Sequence, residues 1–234
     1  MNDRYIFRYI IILVVIVSVL LSGAALFLHP RQQRNIDNEK MAMILKAAGI
    51  TNVSADDIQN SFNELCTEML VIDKNGDIVE GHNAFKINLK DEIYNKNNDK
   101  DYYLPVFVIN NNNLIINVLP LQGNGLWGPI WGYIGLSEDF REVAGAVFDH
   151  KSETPGLGAE ITSERFQSQF SGKVIFQNEK FVSINVVKGG INALPASAQQ
   201  HSVDAISGGT VTSHGVNDMI KNVLEMYLPY IKKQ

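Results

Sequence analysis

Cysteine is scarce in this sequence, and so is any excess of positive charge. The single cysteine, Cys66, excludes an internal disulfide and leaves no cysteine pattern for a zinc or iron–sulfur site. The five histidines show no metal-ligand spacing, so we expect no bound metal. A net charge of −5 is unlike that of nucleic-acid binders, which cluster lysine and arginine against phosphates. We therefore expect no nucleic-acid partner.

Charge is missing altogether from the run YIIILVVIVSVLLSGAALFL at residues 9–28. A helix of this length crosses a hydrocarbon core of about 30 Å, and the run exceeds the roughly 7–15 apolar residues of a cleaved signal peptide. We interpret residues 1–30 as a short tail and a transmembrane helix, with a cleaved signal peptide as the alternative. Two arginines stand on each side of the run, so charge does not determine the orientation.

Helical periodicity recurs in four later segments. Residues 31–50 predict a helical connector that ends at Gly49. A capping-box-like pair, Ser54 and Asp57, precedes an apolar stripe, which predicts a helix with the core residues Ile58, Phe62, Leu65 and Met69. Another helix is predicted at residues 163–170 with Ser163 as its cap, and a last one at residues 212–231.

Strand-like runs fill much of the remaining chain. Asn75-Gly76 suits a tight turn, so residues 69–81 predict a hairpin. Further extended segments are predicted within residues 102–109, 114–136, 142–150 and 181–189. Because strands and helices are both frequent, we predict a single α+β domain over residues 51–234, following the membrane helix.

The run DAISGGTVTS at residues 204–213 combines hydroxyl side chains with two glycines just before the last predicted helix. A helix N-terminus offers unpaired N–H groups and the positive end of the helix dipole, which together suit a phosphate near Thr210. The alternative from the residues alone is an ordinary helix cap.

Two other stretches have unusual compositions. In HKSETPGLGAE at residues 150–160, the proline restricts the chain and the glycines permit unusual dihedral angles, so Thr154 and Leu157 can approach a planar ring; an ordinary turn is the alternative. For Glu153 we expect a loop hydrogen bond. In GNGLWGPIWGYIGL at residues 123–136, we expect Trp127 and Trp131 to pack in the core or contact another subunit, with direct stacking on a planar ring as the alternative.

These three stretches resemble the FMN-binding domain shared by the C subunit of the Na+-translocating NADH:quinone reductase and the G subunit of the Rnf complex. The resemblance implies that Thr210 carries FMN as a phosphoester, attached by a flavin transferase that consumes FAD. It also implies cofactor-binding roles for two groups of residues: Asp204, Ser207, Gly208, Gly209 and Thr212 in the first run, and Glu153, Thr154, Leu157 and Gly158 in the second. Gly209 stands where the family usually has alanine.

The aromatic and glycine-rich stretch is more similar to the reductase C subunit than to its Rnf counterpart. The resemblance implies an electron-carrier subunit of a membrane NADH:quinone reductase that pumps Na+, active together with its other subunits and passing electrons toward quinone. It implies a single-pass protein of the bacterial inner membrane with its soluble domain outside, in contact with lipid and partner subunits. The alternatives are an Rnf-type G subunit and a membrane-anchored scaffold without cofactor.

Overall fold

The computed structural model of the chain describes residues 3–234. These residues form two compact units, of which the first ends at Met41 and the second is Ala42–Gln234. The first helix, α1, spans Asp3–Ala47 and runs through Pro30 without a break. Its large apolar side chains between residues 9 and 28 are exposed. Within the described chain, α1 is the only helix long and apolar enough to cross a membrane, judged by length and composition.

The centre of the second unit is a five-stranded antiparallel sheet in which neighbouring strands follow the order of the chain. Its strands are β1 Cys66–Asp73, β2 Tyr103–Asn111, β3 Leu114–Asn124, β4 Pro129–Ser137 and β5 Val143–His150. β-Branched and aromatic residues, which favour extended structure, are frequent in these segments. The register places Phe107 opposite Val118, and Val118 opposite Gly135.

The last helix, α6, spans Thr210–Ile231 and packs against β3. Its apolar stripe joins side chains of the sheet in one buried cluster that includes Leu104, Val106, Leu119, Leu121, Ile134, Val216, Ile220, Val223, Leu224 and Tyr227. The fully buried Tyr227 hydroxyl donates to the backbone carbonyl of Pro105 at 2.8 Å, so its polar group is satisfied within the core.

The end of α1 packs against the sheet at a pair of glycines. Gly135 and Gly145 are cross-strand partners, and a Cβ atom on either one would lie within 2.8 Å of the Ala47 carbonyl oxygen. Gly49 then ends the helical segment with a φ of +81°, a left-handed conformation that glycine adopts without strain. Lys46 adds a hydrogen bond from its Nζ to Gln167 Oε1 at 3.1 Å.

Short elements fill the connections. The α-helices are α2 Ile58–Leu65, α3 Leu89–Asn97, α4 Glu164–Gln167 and α5 Ala196–Gln199, and the 3-10 helices are Ala84–Lys86, Gly158–Thr162, Ser168–Phe170 and Ile191–Ala193. Two minor sheets comprise antiparallel β6 Phe176–Gln177 with β7 Lys180–Phe181, and parallel β8 Asn185–Val187 with β9 Ser202–Asp204. The predicted α+β class is confirmed.

Two local predictions are wrong in the N-terminal half of the domain. The helix predicted through Met69 ends at Leu65, because the following residues pair with β2 as strand β1. Asp57 makes no side-chain cap to this helix and instead accepts a hydrogen bond from the Ser54 hydroxyl. The turn predicted at Asn75-Gly76 is present, but the chain after it contributes only an isolated bridge between residues 72 and 78.

Other boundaries differ in the C-terminal half. The segment 114–136 forms two strands, β3 and β4, and only residues 185–187 of the predicted strand 181–189 belong to β8. The helix predicted at 163–170 is split between α4 and a 3-10 turn, and the Ser163 hydroxyl donates to the Glu160 carbonyl instead of capping α4. The last helix begins two residues earlier than predicted, at Thr210.

Cys66 is half-buried, and this burial raises the pKa of its thiol to about 11. Since the thiolate is the reactive form, we expect iodoacetamide to label the folded protein slowly at pH 8. The labelling rate should rise by about tenfold per pH unit up to pH 10, whereas that of an ordinary exposed thiol levels off above its pKa of about 8.5. Mass spectrometry of timed samples measures the rate, with glutathione as the control; a plateau near pH 8.5 would contradict this prediction.

Candidate flavin site

The predicted attachment loop, residues 204–209 and below called the attachment loop, leads directly into α6. Thr210 is the first residue of that helix, and Gly209 precedes it as an N-cap that provides no side-chain hydrogen bond. Gly208 has a φ of +77°, which a glycine adopts at little cost. The first N–H groups of α6 therefore have no side-chain cap. An uncapped helix start of this kind suits a bound phosphate.

The hydroxyl groups around the start of α6 differ in accessibility. Thr212 and Ser213 are buried, and both hydroxyls are already bonded: Thr212 donates to Glu153 Oε2 at 2.6 Å, and Ser213 accepts from the backbone N–H of Ile206. Thr210 is half-buried, and within residues 3–234 its hydroxyl has no hydrogen-bond partner. Thr210 is therefore the free hydroxyl at the helix start. The exposed Ser207 lies three residues earlier.

The loop at residues 153–158, which carries the sequence ETPGLG, contacts the attachment loop. A Cβ atom on Gly208 would lie 2.6 Å from Leu157 Cδ2, and one on Gly209 would lie 3.2 Å from the Leu157 carbonyl oxygen and 3.0 Å from Ile206 Cγ2. Both glycines thus allow the close approach of Leu157, and the glycine at 209 fits a tightly packed turn. Thr154 is exposed, and its carbonyl accepts from the N–H of Leu157, which closes the ETPGLG turn.

The aromatic stretch provides the third part of the site. Residues 125–128 connect β3 to β4, and the Gly125 N–H donates to the Gly128 carbonyl at 2.8 Å. Trp127 is 65% exposed, so of its two expected roles core packing is wrong and contact with another subunit stays a prediction, whereas Trp131 is half-buried. A Cβ atom on Gly215 of α6 would lie 2.3 Å from the Asn124 carbonyl oxygen, which shows how closely the hairpin and the helix approach.

Three further apolar side chains near these loops are exposed, namely Leu126, Leu157 and Val211. Trp127 is exposed as well, so each of the three segments carries at least one exposed apolar side chain. Leu126 and Val211 were not among the residues predicted from the sequence, although the glycines that flank Leu126-Trp127 were a signal that this pair lies in a turn. Exposed apolar side chains on segments that flank an uncapped helix start suit a ligand that has a planar ring at one end and an anion at the other.

A cavity of about 790 Å³ adjoins the attachment loop at Ile206 and Ser207 and the ETPGLG loop at Gly156. Thr210, Leu157 and Trp127 are not among the residues that line it. Asp204 lines it and orders its wall, because Asp204 Oδ1 accepts from the backbone N–H of Ile191 at 2.6 Å. Among residues 3–234 no group of three or more potential metal ligands is found.

A comparison with known protein families covers this part of the chain. The model of the FMN-binding domain family matches residues 125–225, which include the aromatic turn, the ETPGLG loop, the attachment loop and most of α6. This region is therefore similar to the class of FMN-binding-domain proteins.

The full-length relatives specify the family. The chain is 30% identical to the C subunit of the Na(+)-translocating NADH-quinone reductase of Vibrio vulnificus, over 85% of this chain and 82% of the relative. It is 29% identical to the C subunit from Neisseria meningitidis serogroup B, over 99% of this chain and 95% of that relative. The crystal structure of the C subunit from Parabacteroides distasonis superimposes with a TM-score of 0.78 at 39% identity, covering 88% of this chain and 98% of that one. The chain belongs to the family of the C subunit of the Na(+)-translocating NADH-quinone reductase.

Proposed function

We propose that this chain is the covalent-FMN electron-carrier subunit of a Na+-translocating NADH:quinone reductase and that Thr210 is its attachment residue. The observation that carries the proposal is the Thr210 hydroxyl, which is half-buried, has no hydrogen-bond partner among the described residues and lies at an uncapped helix start. The ETPGLG loop contacts the attachment loop beside it through Leu157. The family membership supports the cofactor and the complex.

The residues present fit FMN. The uncapped N–H groups of α6 and the positive end of its dipole would hold the phosphate, and the two glycines before Thr210 allow Leu157 to approach the attachment loop closely. The exposed Leu157, Trp127 and Val211 would contact the flavin ring. Bound there, FMN would supply the redox chemistry of an electron carrier between a neighbouring centre and quinone.

The chemistry of attachment needs a transferase and FAD. The Thr210 Oγ–phosphorus bond forms while the pyrophosphate bond of FAD breaks, AMP leaves, and the hydroxyl proton is released. The free hydroxyl of Thr210 suits this step because it gives up no protein hydrogen bond. A tethered cofactor cannot diffuse away, which keeps its local concentration high near its electron partners.

The N-terminal helix supports a membrane location. Its exposed apolar side chains over residues 9–28 would be costly in water but match a hydrocarbon core of about 30 Å. We propose that α1 is a single-pass anchor in a bacterial inner membrane, with the FMN-binding domain on the outer side. The partners are then membrane lipid, the other reductase subunits and the flavin transferase.

The proposal is tested by producing the full-length chain with and without a co-expressed flavin transferase. After denaturation, the expected result is a mass gain of one FMN residue on the peptide that contains Thr210, together with flavin fluorescence in the gel band. The sample without transferase is the control and should remain colourless. An unchanged mass in both samples would reject the covalent carrier function.

A further inference from the structure

Glu153 joins three separate segments of the site. Its side chain is only 5% exposed. Oε1 accepts from the backbone N–H of Trp127 at 2.8 Å, and Oε2 accepts from the Thr212 hydroxyl at 2.6 Å. Its own backbone N–H donates to His150 Nδ1 at 3.2 Å. One carboxylate thereby links the aromatic turn, the ETPGLG loop and the first turn of α6.

Two glycines shape the space around this carboxylate. A Cβ atom on Gly125 would lie 2.6 Å from Glu153 Oε1, and a Cβ atom on Gly158 would lie 2.4 Å from Oε2 and from the Thr212 hydroxyl. Any larger residue at these two positions would displace the carboxylate or the hydroxyl. The surroundings of Glu153 are thus matched to its size and to both of its hydrogen bonds.

Within residues 3–234, Glu153 makes no ion pair, and neutral donors alone satisfy its oxygens. A buried carboxylate loses much of its hydration energy, so it is kept in place only while these hydrogen bonds persist. Breaking either bond leaves a buried polar atom unsatisfied, which is costly. Glu153 therefore couples the conformations of the two segments that it bridges.

We propose that Glu153 is the positioning residue of the flavin site. It holds the Leu126-Trp127 turn and the start of α6 in one arrangement, and it acts through Trp127 and Thr212 without contacting the flavin. Thr212 lies two residues after the attachment threonine, so its bond to Glu153 fixes Thr210 relative to the exposed indole. This role rests on the proposed function of Thr210 and deepens it.

The first test needs no flavin. In the full-length chain in detergent, Trp131→Phe leaves Trp127 as the only tryptophan, and Thr210→Ala removes the attachment hydroxyl. In this background Glu153→Ala should lower the fluorescence anisotropy of Trp127 and increase its quenching by acrylamide. Glu153→Gln should restore both values, because the amide can accept from Trp127 and donate to the Thr212 hydroxyl. Unchanged anisotropy in Glu153→Ala would overturn the proposal.

Thr212→Val provides a second variant in case Glu153→Ala does not fold. It removes only the bond to α6 and preserves the shape of the side chain. Hydrogen exchange should then increase at residues 213–216, whose N–H groups form the first hydrogen bonds of α6, while the Trp127 anisotropy remains closer to that of the parent protein. Equal exchange in parent and variant would show that the bridge does not order the helix start.

The second test uses flavin-loaded protein with Thr210 and Trp131 intact. Glu153→Ala should lose the visible circular dichroism of the flavin, because the ring is no longer held in one orientation, and Glu153→Gln should retain it. Unaltered dichroism in Glu153→Ala would contradict positioning. If no variant and no parent protein accepts flavin, the proposed function fails, whereas the anisotropy measurements still decide whether Glu153 positions the turn.

Discussion

Replacing Thr210 with alanine is expected to abolish covalent flavin attachment completely while the protein remains folded. The Thr210 hydroxyl forms no hydrogen bond with the described part of the chain, so its removal leaves no unsatisfied group. Alanine is also a favourable residue in a helix. The phosphoester, in contrast, cannot form without the hydroxyl oxygen. The measurement is in-gel flavin fluorescence and intact mass after co-expression with the transferase, with far-UV circular dichroism to verify folding.

Two matched variants make this result specific. Thr210→Ser keeps a hydroxyl at the same position and should retain attachment. Ser207→Ala removes the exposed hydroxyl of the same loop and should retain it as well. Fluorescence that survives Thr210→Ala but disappears in Ser207→Ala would move the attachment to Ser207.

The largest expected effect on stability comes from Gly76→Ala. Gly76 occupies the turn after β1 with a φ of +78°, and a Cβ atom there would lie 2.3 Å from the backbone nitrogen of Tyr230 in α6. The left-handed conformation alone costs an alanine about 1–2 kcal/mol. The clash involves backbone rather than a flexible side chain, and overpacking of this kind adds about 1–3 kcal/mol. For Gly76→Ala we therefore expect the free energy of unfolding to fall by the conformational cost and the overpacking cost together.

Gly81→Ala is the control for this measurement. Gly81 has a similar φ of +84°, but a Cβ atom there would have nothing within 4 Å. It should therefore show only the conformational cost of about 1–2 kcal/mol. Equilibrium unfolding in urea, followed by tryptophan fluorescence of the full-length chain in detergent, compares the two variants. Equal losses of unfolding free energy in the two variants would mean that the turn at Gly76 shifts away from α6 without cost.

Much of the fold could be predicted because its signals are local. The apolar stripe of α6 repeats at helical spacing, and the boundary found at Thr210 is two residues from the predicted one. The helical connector ends near Gly49 because this glycine adopts a positive φ, which glycine does without strain. The apolar run at residues 9–28 is likewise visible from composition. Each of these features depends on residues that are close together in the chain.

Predictions that depend on strand pairing were less accurate. Met69 continues the helical stripe of Ile58 and Phe62 in the sequence, yet it belongs to β1. Pairing with β2, about 40 residues later, decides this, and local spacing does not contain that contact. The same holds for the short β8, whose partner β9 follows more than ten residues later.

For the site, the sequence by itself determined three candidate stretches: the run at residues 204–213 with Thr210, the ETPGLG loop and the aromatic stretch. Their residue types indicate backbone freedom, free hydroxyls and apolar contact. Only the tertiary structure decided that Leu157 lies against Gly208, that Trp127 is exposed, and that the hydroxyl of Thr212 is bound to Glu153. The physical reason is distance along the chain: Glu153 and Thr212 are 59 residues apart, and only the packing of α6 on the sheet brings their side chains within a hydrogen bond.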